Sequence, residues 1–296
     1  MHRTTSPQGY YDRIASLISP SFHEKSVVLV GCGAASDLAV KLARLGPARM
    51  TLIDPDVVEI SNLTRTVYSI TDLGVPKVDA LARHVASANS GVGVRPIQAD
   101  VTTIDAATDA SVFSAADIII AATDSFVAHA YVNQVSQRLG IPAVFVGVHE
   151  GAEGGLVIGC IPGETGCYRC VNQARYDVAT EGTTATDLAS APGLFVDISF
   201  VDTIALKLVL AILERGHATP LGRFLEDANL RTYVVCRMSR HHGYSTNLWH
   251  EILGRLPTAE HDLRAELEAE VLFAMDTLWF PVSKDEACPA CHRFGS

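Results

Sequence analysis

The sequence predicts an α/β protein built on a doubly wound, mostly parallel Rossmann-like sheet, with added antiparallel strands and a zinc knuckle in its C-terminal part. Three observations carry this expectation. The first half alternates short, continuously apolar runs with amphipathic stretches, the pattern of parallel strands covered on both faces by helices. The run VVLVGCGAAS at 27–36 joins the first of those strands to a glycine turn and a helix. Two C-x-x-C pairs, Cys167/Cys170 and Cys288/Cys291, supply four soft donors, the number a closed tetrahedral zinc site takes.

Taken in order, 26–31 (SVVLVG) reads as a buried strand, and 36–45 (SDLAVKLARL) as a helix with Leu38, Leu42 and Leu45 on one stripe, stopped by Gly46-Pro47. Residues 49–53 read as a strand, 77–88 as a helix, 93–98 and 117–122 as strands, 125–139 as a helix and 143–148 as a strand. Beyond 150 the pattern changes. Residues 154–160 (GGLVIGC) read as an added strand, and 171–193, polar and rich in Thr, Ala and Gly, as a mobile loop. Residues 195–215 read as a long helix and 231–237 as a strand, while His241-His242, Trp249, Trp279 and Phe280 read as loop and core. No linker separates independent units, so 1–296 is read as one domain, with a nucleotide-binding half (1–150) and a substrate-binding half (151–296).

Composition narrows the function. A chain of 296 residues that is 48% hydrophobic can bury a sizeable core, and 33 acidic against 23 basic side chains argue against a nucleic-acid-coating surface. No apolar run is long and uninterrupted enough to span a bilayer and residues 1–20 lack a signal-peptide pattern, so a cytoplasmic location with no membrane partner is expected.

The glycine turn alone does not choose between NAD and ATP. Gly31 and Gly33 allow a tight turn and close backbone approach to phosphate, Ser36 stands where a third glycine is usual, and Asp54 follows the second strand, where a carboxylate can accept from ribose hydroxyls. The next stretch separates the two. Asn62 and Arg65 fall on one side of a helical turn and Lys77 follows a Gly-Val-Pro turn, a set suited to the extra negative charge of a triphosphate. Asp124, just past the strand 117–122, either holds Mg²⁺ at the sheet's carboxyl edge or caps the following helix. Taken singly, Arg65 and Lys77 also read as solvated surface charges.

Together, GCGAAS (31–36), LIDPDVVEISNLTR (52–65), GVPK (74–77), TDS (123–125), CYRC (167–170) and CPAC (288–291) resemble the ThiF, MoeB and HesA adenylyltransferases, the ubiquitin-activating-enzyme-like family. The resemblance implies ATP and Mg²⁺ as cofactors, with activation of the C-terminal carboxylate of a ubiquitin-like or sulfur-carrier protein ending in Gly-Gly as an acyl-adenylate. It implies Asp54 at the ribose, Asn62, Arg65 and Lys77 on phosphates and Asp124 on the metal, with Gly31, Gly33 and Asp56 in the same site. The segment YYDR (10–13) matches the family's N-terminal arginine motif with Arg13 kept and Tyr10 in place of its companion, which implies a homodimer whose sites are completed in trans. The loop 171–193 would be the segment crossing over the substrate tail.

No cysteine lies in 171–195, and Cys32, Cys160 and Cys236 read as small buried residues, Cys236 being the least improbable nucleophile of the three. The chain is therefore expected to stop at the adenylate. The alternatives are activation of a small-molecule, peptide or tRNA-linked carboxylate, a non-catalytic heterodimer subunit, and a nicotinamide oxidoreductase.

Overall fold

The computed structural model describes residues 8–104, 110–149, 154–180, 193–237 and 275–292. Its strands are β1 (Ser26–Val30), β2 (Arg49–Ile53), β3 (Gly93–Ile97), β4 (Ile118–Ala121), β5 (Ala143–Val148), β6 (Gly154–Cys160), β7 (Arg231–Arg237) and β8 (Asp276–Pro281). They form one sheet in the order β3-β2-β1-β4-β5-β6-β7-β8. The pairs among β1 to β5 are parallel, whereas β6, β7 and β8 run antiparallel to their neighbours. The mostly parallel sheet with an antiparallel C-terminal extension is the expected one.

The parallel part is apolar because both faces are covered. In β1 all but the first residue is buried, and in β4 every residue is. On one face, α1 (Ser36–Leu45), α2 (Lys77–Ala88) and α7 (Phe195–Leu213) pack Leu38, Leu42, Leu81 and Val209 against Leu29, Leu52 and Val144. On the other, α4 (Phe126–Leu139), with the short α3 (Ala110–Phe113) and α5 (Tyr168–Val171), packs Val132 and Phe113 against Val28, Ile119 and Phe145. The helix α7 is followed by α8 (Pro220–Asp227), whose Thr219 cap accepts from the Gly222 N–H. Although α7 is long and apolar, it carries Asp202, and among the described residues no helix is long and apolar enough to cross a membrane.

Two local features differ from the expectation. The stretch from 171 is helical at its start. After α5, α6 (Gln173–Thr180) packs Tyr176 edge-on to Phe126 with ring centroids 4.9 Å apart, and the Arg169 guanidinium lies 4.8 Å from the Tyr176 ring centre, so side-chain packing overrides the polar composition. Residues 181–192 of the expected crossover loop, together with His241, His242 and Trp249, lie outside the described residues. Trp279 and Phe280 belong to β8, where Phe280 is buried and Trp279 packs edge-on to Phe224 at 5.5 Å. The last element is α9 (Pro289–His292), which carries Cys291.

Because β1 and β4 are adjacent and their connections leave toward opposite edges of the sheet, a crevice opens beyond their carboxyl ends. Gly31 ends β1 at that point with φ +93°, and a Cβ there would fall 2.2 Å from the Ala122 carbonyl oxygen. Gly31→Ala therefore combines a backbone clash with a disfavoured φ, and urea denaturation should record a loss of at least about 3 kcal/mol. A loss under about 1 kcal/mol would show that the turn can move away from Ala122.

Candidate active site

A cavity of about 1510 Å³ lies over the carboxyl ends of β1, β2, β4 and β5 and extends toward α5, α6 and the start of α7. It is larger than the roughly 300–1,000 Å³ of a typical small-ligand pocket. Gly31, Gly33, Asp54, Asp56, Asn62, Arg65, Lys77 and Asp124, drawn from five separate stretches of chain, all line it. Arg13 does not; it is exposed on the N-terminal turn.

The glycine turn is held from two sides. The Cys32 N–H donates to Asp54 Oδ2 at 2.7 Å and the Asp56 N–H to Asp54 Oδ1 at 2.9 Å, so one carboxylate spans the ends of β1 and β2. Burial pushes the Asp54 pKa up, while the Lys77 charge and the two N–H donors pull it back. The Tyr68 hydroxyl donates to the Cys32 carbonyl and, at 3.2 Å, to that of Lys77. At Gly33 a Cβ would meet nothing within 4 Å, so the turn's backbone faces open space there. Ser36 is fully buried and its Oγ accepts from the Val67 N–H at 3.2 Å, tying the glycine turn to the loop that carries Asn62 and Arg65.

That loop begins with a capping box in which Asn62 Oδ1 accepts from the Glu59 N–H at 2.9 Å. Its Asn62 carbonyl accepts from the Arg65 N–H at 3.1 Å and from Thr66 Oγ1 at 2.8 Å, fixing the turn on which Arg65 projects. Lys77, at the start of α2, places Nζ 2.7 Å from Asp56 Oδ2. The choice left open at Asp124 falls against the helix cap: Ser125 is the N-cap of α4, its side chain accepting from the Ala128 N–H. Asp124 is exposed and faces the cavity.

His129, Tyr168, Arg175 and Asp202, none of them an expected site residue, also line the cavity. Asp202 reaches from α7 to accept from the Leu38 N–H at 3.3 Å, and burial raises its pKa, with the nearby Asp37 adding to the effect. Burial also lowers the pKa of His129 to about 3, the Arg175 charge adding and the Ala121 carbonyl opposing, and that of His149 to about 4. Both imidazoles are neutral at pH 7. Only Tyr168 carried a signal in the sequence, its position between two metal-type cysteines.

Cys167, Cys170, Cys288 and Cys291 converge with all four Sγ atoms within 4.8 Å of one another and none in a disulfide. Sγ–Sγ separations of 3.4 Å (170–291), 3.7 Å (167–288) and 3.8 Å (167–170) match the edge of about 3.8 Å that Zn–S bonds of about 2.3 Å impose on a tetrahedron. The donor set and its spacing fit a zinc ion held in a closed shell. Cys32, Cys160 and Cys236 are at most 1% exposed, and burial pushes the Cys32 and Cys160 thiols well up.

The sequence matches the ThiF family over residues 18–243. The chain belongs to that family. It is 32% identical over 202 residues to the SAMP-activating enzyme E1 of Haloferax volcanii, covering 67% of this chain and 71% of that one. It is 28% identical over 268 residues to the ubiquitin-like modifier-activating enzyme 5 of Oryza sativa subsp. japonica, covering 83% of this chain and 62% of the relative. Among solved structures, the ATP complex of Escherichia coli MccB superposes with a TM-score of 0.63 at 20% identity, over 92% of this chain and 68% of that one, which speaks for the fold.

The two neutral imidazoles set a pH dependence. A histidine whose folded pKa lies below its unfolded value costs stability as pH falls below about 6.5, because the unfolded chain then binds the proton more readily. Urea titrations should find the protein less stable at pH 5 than at pH 6.5 by roughly 2–3 kcal/mol, and His129→Gln should remove about half of that difference. An unchanged difference in the variant would mean that His129 is charged or solvated.

Proposed function

We propose that the protein activates the C-terminal carboxylate of a ubiquitin-like or sulfur-carrier protein as an acyl-adenylate, at the expense of ATP. The observation that carries the reading is the convergence of a glycine turn, a ribose-type carboxylate, an amide, two cations and an exposed carboxylate on one cavity at the sheet's switch point. In this reading Asp54 accepts from ribose hydroxyls, the backbone at Gly33 admits phosphate, and Asn62, Arg65 and Lys77 face the triphosphate. Asp124, spared from capping α4, would hold a Mg²⁺ that neutralises phosphate charge. A carboxylate oxygen forms a bond to the α-phosphorus as the bond to pyrophosphate breaks. The protein's contribution is in-line positioning and charge neutralisation, with no side-chain nucleophile required.

None of the three cysteines outside the thiol cluster offers an exposed thiol, which supports release of the adenylate to an external nucleophile. Family membership, and relatives named as activating enzymes for SAMP and for a ubiquitin-like modifier, support a protein tail as substrate. The likeness to MccB, solved with MccA, speaks for the fold, and a peptide tail is the second reading. We assign Arg13 to the partner's site in a homodimer, since it is exposed and away from its own cavity. We assign zinc to the four-cysteine cluster, where it would pin the segment after β8 to α5.

ATP–pyrophosphate exchange with candidate carrier proteins tests the reading. Asp124→Ala and Arg65→Ala should each lower exchange by at least about a hundredfold while leaving circular dichroism unchanged, the scale expected when charge stabilisation of a transition state is removed. Full turnover in either variant would remove that residue from the site. Metal analysis should find one zinc per chain, lost in Cys288→Ser together with several degrees of melting temperature. Metal-free protein of undiminished stability would make the cluster a set of ordinary buried thiols.

A further inference from the structure

The nucleotide reading draws on lining residues from the first half of the chain, and β5 to β8 contribute a second set of another kind. Phe145 pairs with Ile158, Ile158 with Tyr233, and Tyr233 with Phe280. These cross-strand neighbours share one face of the sheet and form an uncharged, largely apolar row, and all four line the cavity. Tyr168 stacks on Phe145 with ring centroids 4.4 Å apart, and the Tyr233 and Phe280 rings lie 6.3 Å apart, so the row is held by ring packing along its length.

Two residues beyond Phe145 on β5, and therefore on the same face, stands Gly147, paired with the half-buried Leu156; both line the cavity. A glycine inside a strand weakens it and needs a reason. Gly155 and Gly159 of β6 have one, since a Cβ would fall 2.7 Å from the Gly147 carbonyl oxygen at the first and 3.0 Å from Leu208 Cδ2 at the second. At Gly147 a Cβ would meet nothing within 4 Å and φ is not positive, so neither packing nor backbone conformation asks for glycine there. What the missing side chain leaves is room beside Leu156, next to the row that begins at Phe145. The cavity of about 1510 Å³ exceeds the roughly 300–1,000 Å³ of a small-ligand pocket, so a nucleotide leaves space for a second reactant. The reading already calls for one: a tail whose end reaches the α-phosphate within the same cavity. A charged side chain on that tail gains nothing from the row, and an apolar one gains burial.

We propose that Gly147 opens a subsite for a bulky apolar side chain carried within the last three residues of the substrate tail, seated against Leu156 and the row from Phe145 to Phe280. The site then prefers a tail with leucine or phenylalanine there over one whose end is small throughout. This rests on the carboxylate-activation reading and adds the class of tail that the site takes. Gly147 and Leu156 set specificity and take no part in bond making.

The test uses the full chain loaded with a non-hydrolysable ATP analogue and fluorescently labelled heptapeptide acids. One is an alanine–serine sequence ending in Gly-Gly, and the others carry leucine, phenylalanine or asparagine at each of the last three positions in turn. Wild-type protein should bind the best leucine or phenylalanine peptide at least about tenfold more tightly than the Gly-Gly peptide, the scale of burying one such side chain. Asparagine, close to leucine in shape, should bring no gain, because its amide loses water without partners in the row. Gly147→Val should fill the space and cut the preference to about twofold or less, with an unchanged circular dichroism spectrum, and Gly147→Ala should fall between. The proposal is overturned if wild-type protein shows no preference for a bulky apolar residue, if Gly147→Val keeps the preference, or if Gly147→Val weakens the Gly-Gly peptide as much as the others. Pyrophosphate exchange with tails of every kind and no such preference would sink the subsite and leave the adenylation reading standing. A preference that Gly147→Val abolishes, in a protein without exchange, would sink the adenylation reading and keep the subsite as a peptide-binding one.

Discussion

The site depends on the Asp54 carboxylate. One oxygen holds the amide of Cys32 and the other that of Asp56, so the loops leaving β1 and β2 cannot drift apart. Gly31 makes the same arrangement possible on the other side by letting the turn press against Ala122 at the end of β4. Three strand ends are thereby locked into one rim. Removing either amide partner would leave a buried carboxylate with an unmet hydrogen bond, which costs more than the bond itself contributes. The rim is therefore stiff where a phosphate chain would have to be aimed.

A second constraint joins the two halves of the chain. Asp202 on α7 caps α1 through Leu38, and Lys41 of α1 reaches back to Ser199 and Thr203 on α7. The thiol cluster fastens the segment beyond β8 to α5, and α5 carries Tyr168 into the cavity wall. Parts of the cavity lining that lie far along the chain are thus tied down by the buried Asp202 and by four sulfurs.

Much of this was legible in the sequence because the signals were periodic or paired. Continuous apolar runs gave the parallel strands, and the spacing of two C-x-x-C pairs anticipated the sulfur cluster. Ser36 looked like a defect in a glycine motif; its hydroxyl instead ties that motif to Val67, a partner 31 residues away that no local pattern reveals. Asp124 was ambiguous between cap and ligand because Ser125 beside it is an equally good cap, and geometry alone decides between them. The helix α6 was hidden by polar composition, since its stability comes from the contact of Tyr176 with Phe126. Arg175 stands in a stretch with no pattern, and the partners described for it, Phe126 and Tyr168, come from α4 and α5.

The pairing of Lys77 with Asp56 has a consequence of its own. With its side chain 12% exposed and a carboxylate 2.7 Å from Nζ, the lysine is already paired within the chain. On the proposed reading an incoming phosphate would take the place of Asp56, whose side chain is 62% exposed and can turn to water at little expense. Lys77 would then face a negative partner both before and after the exchange.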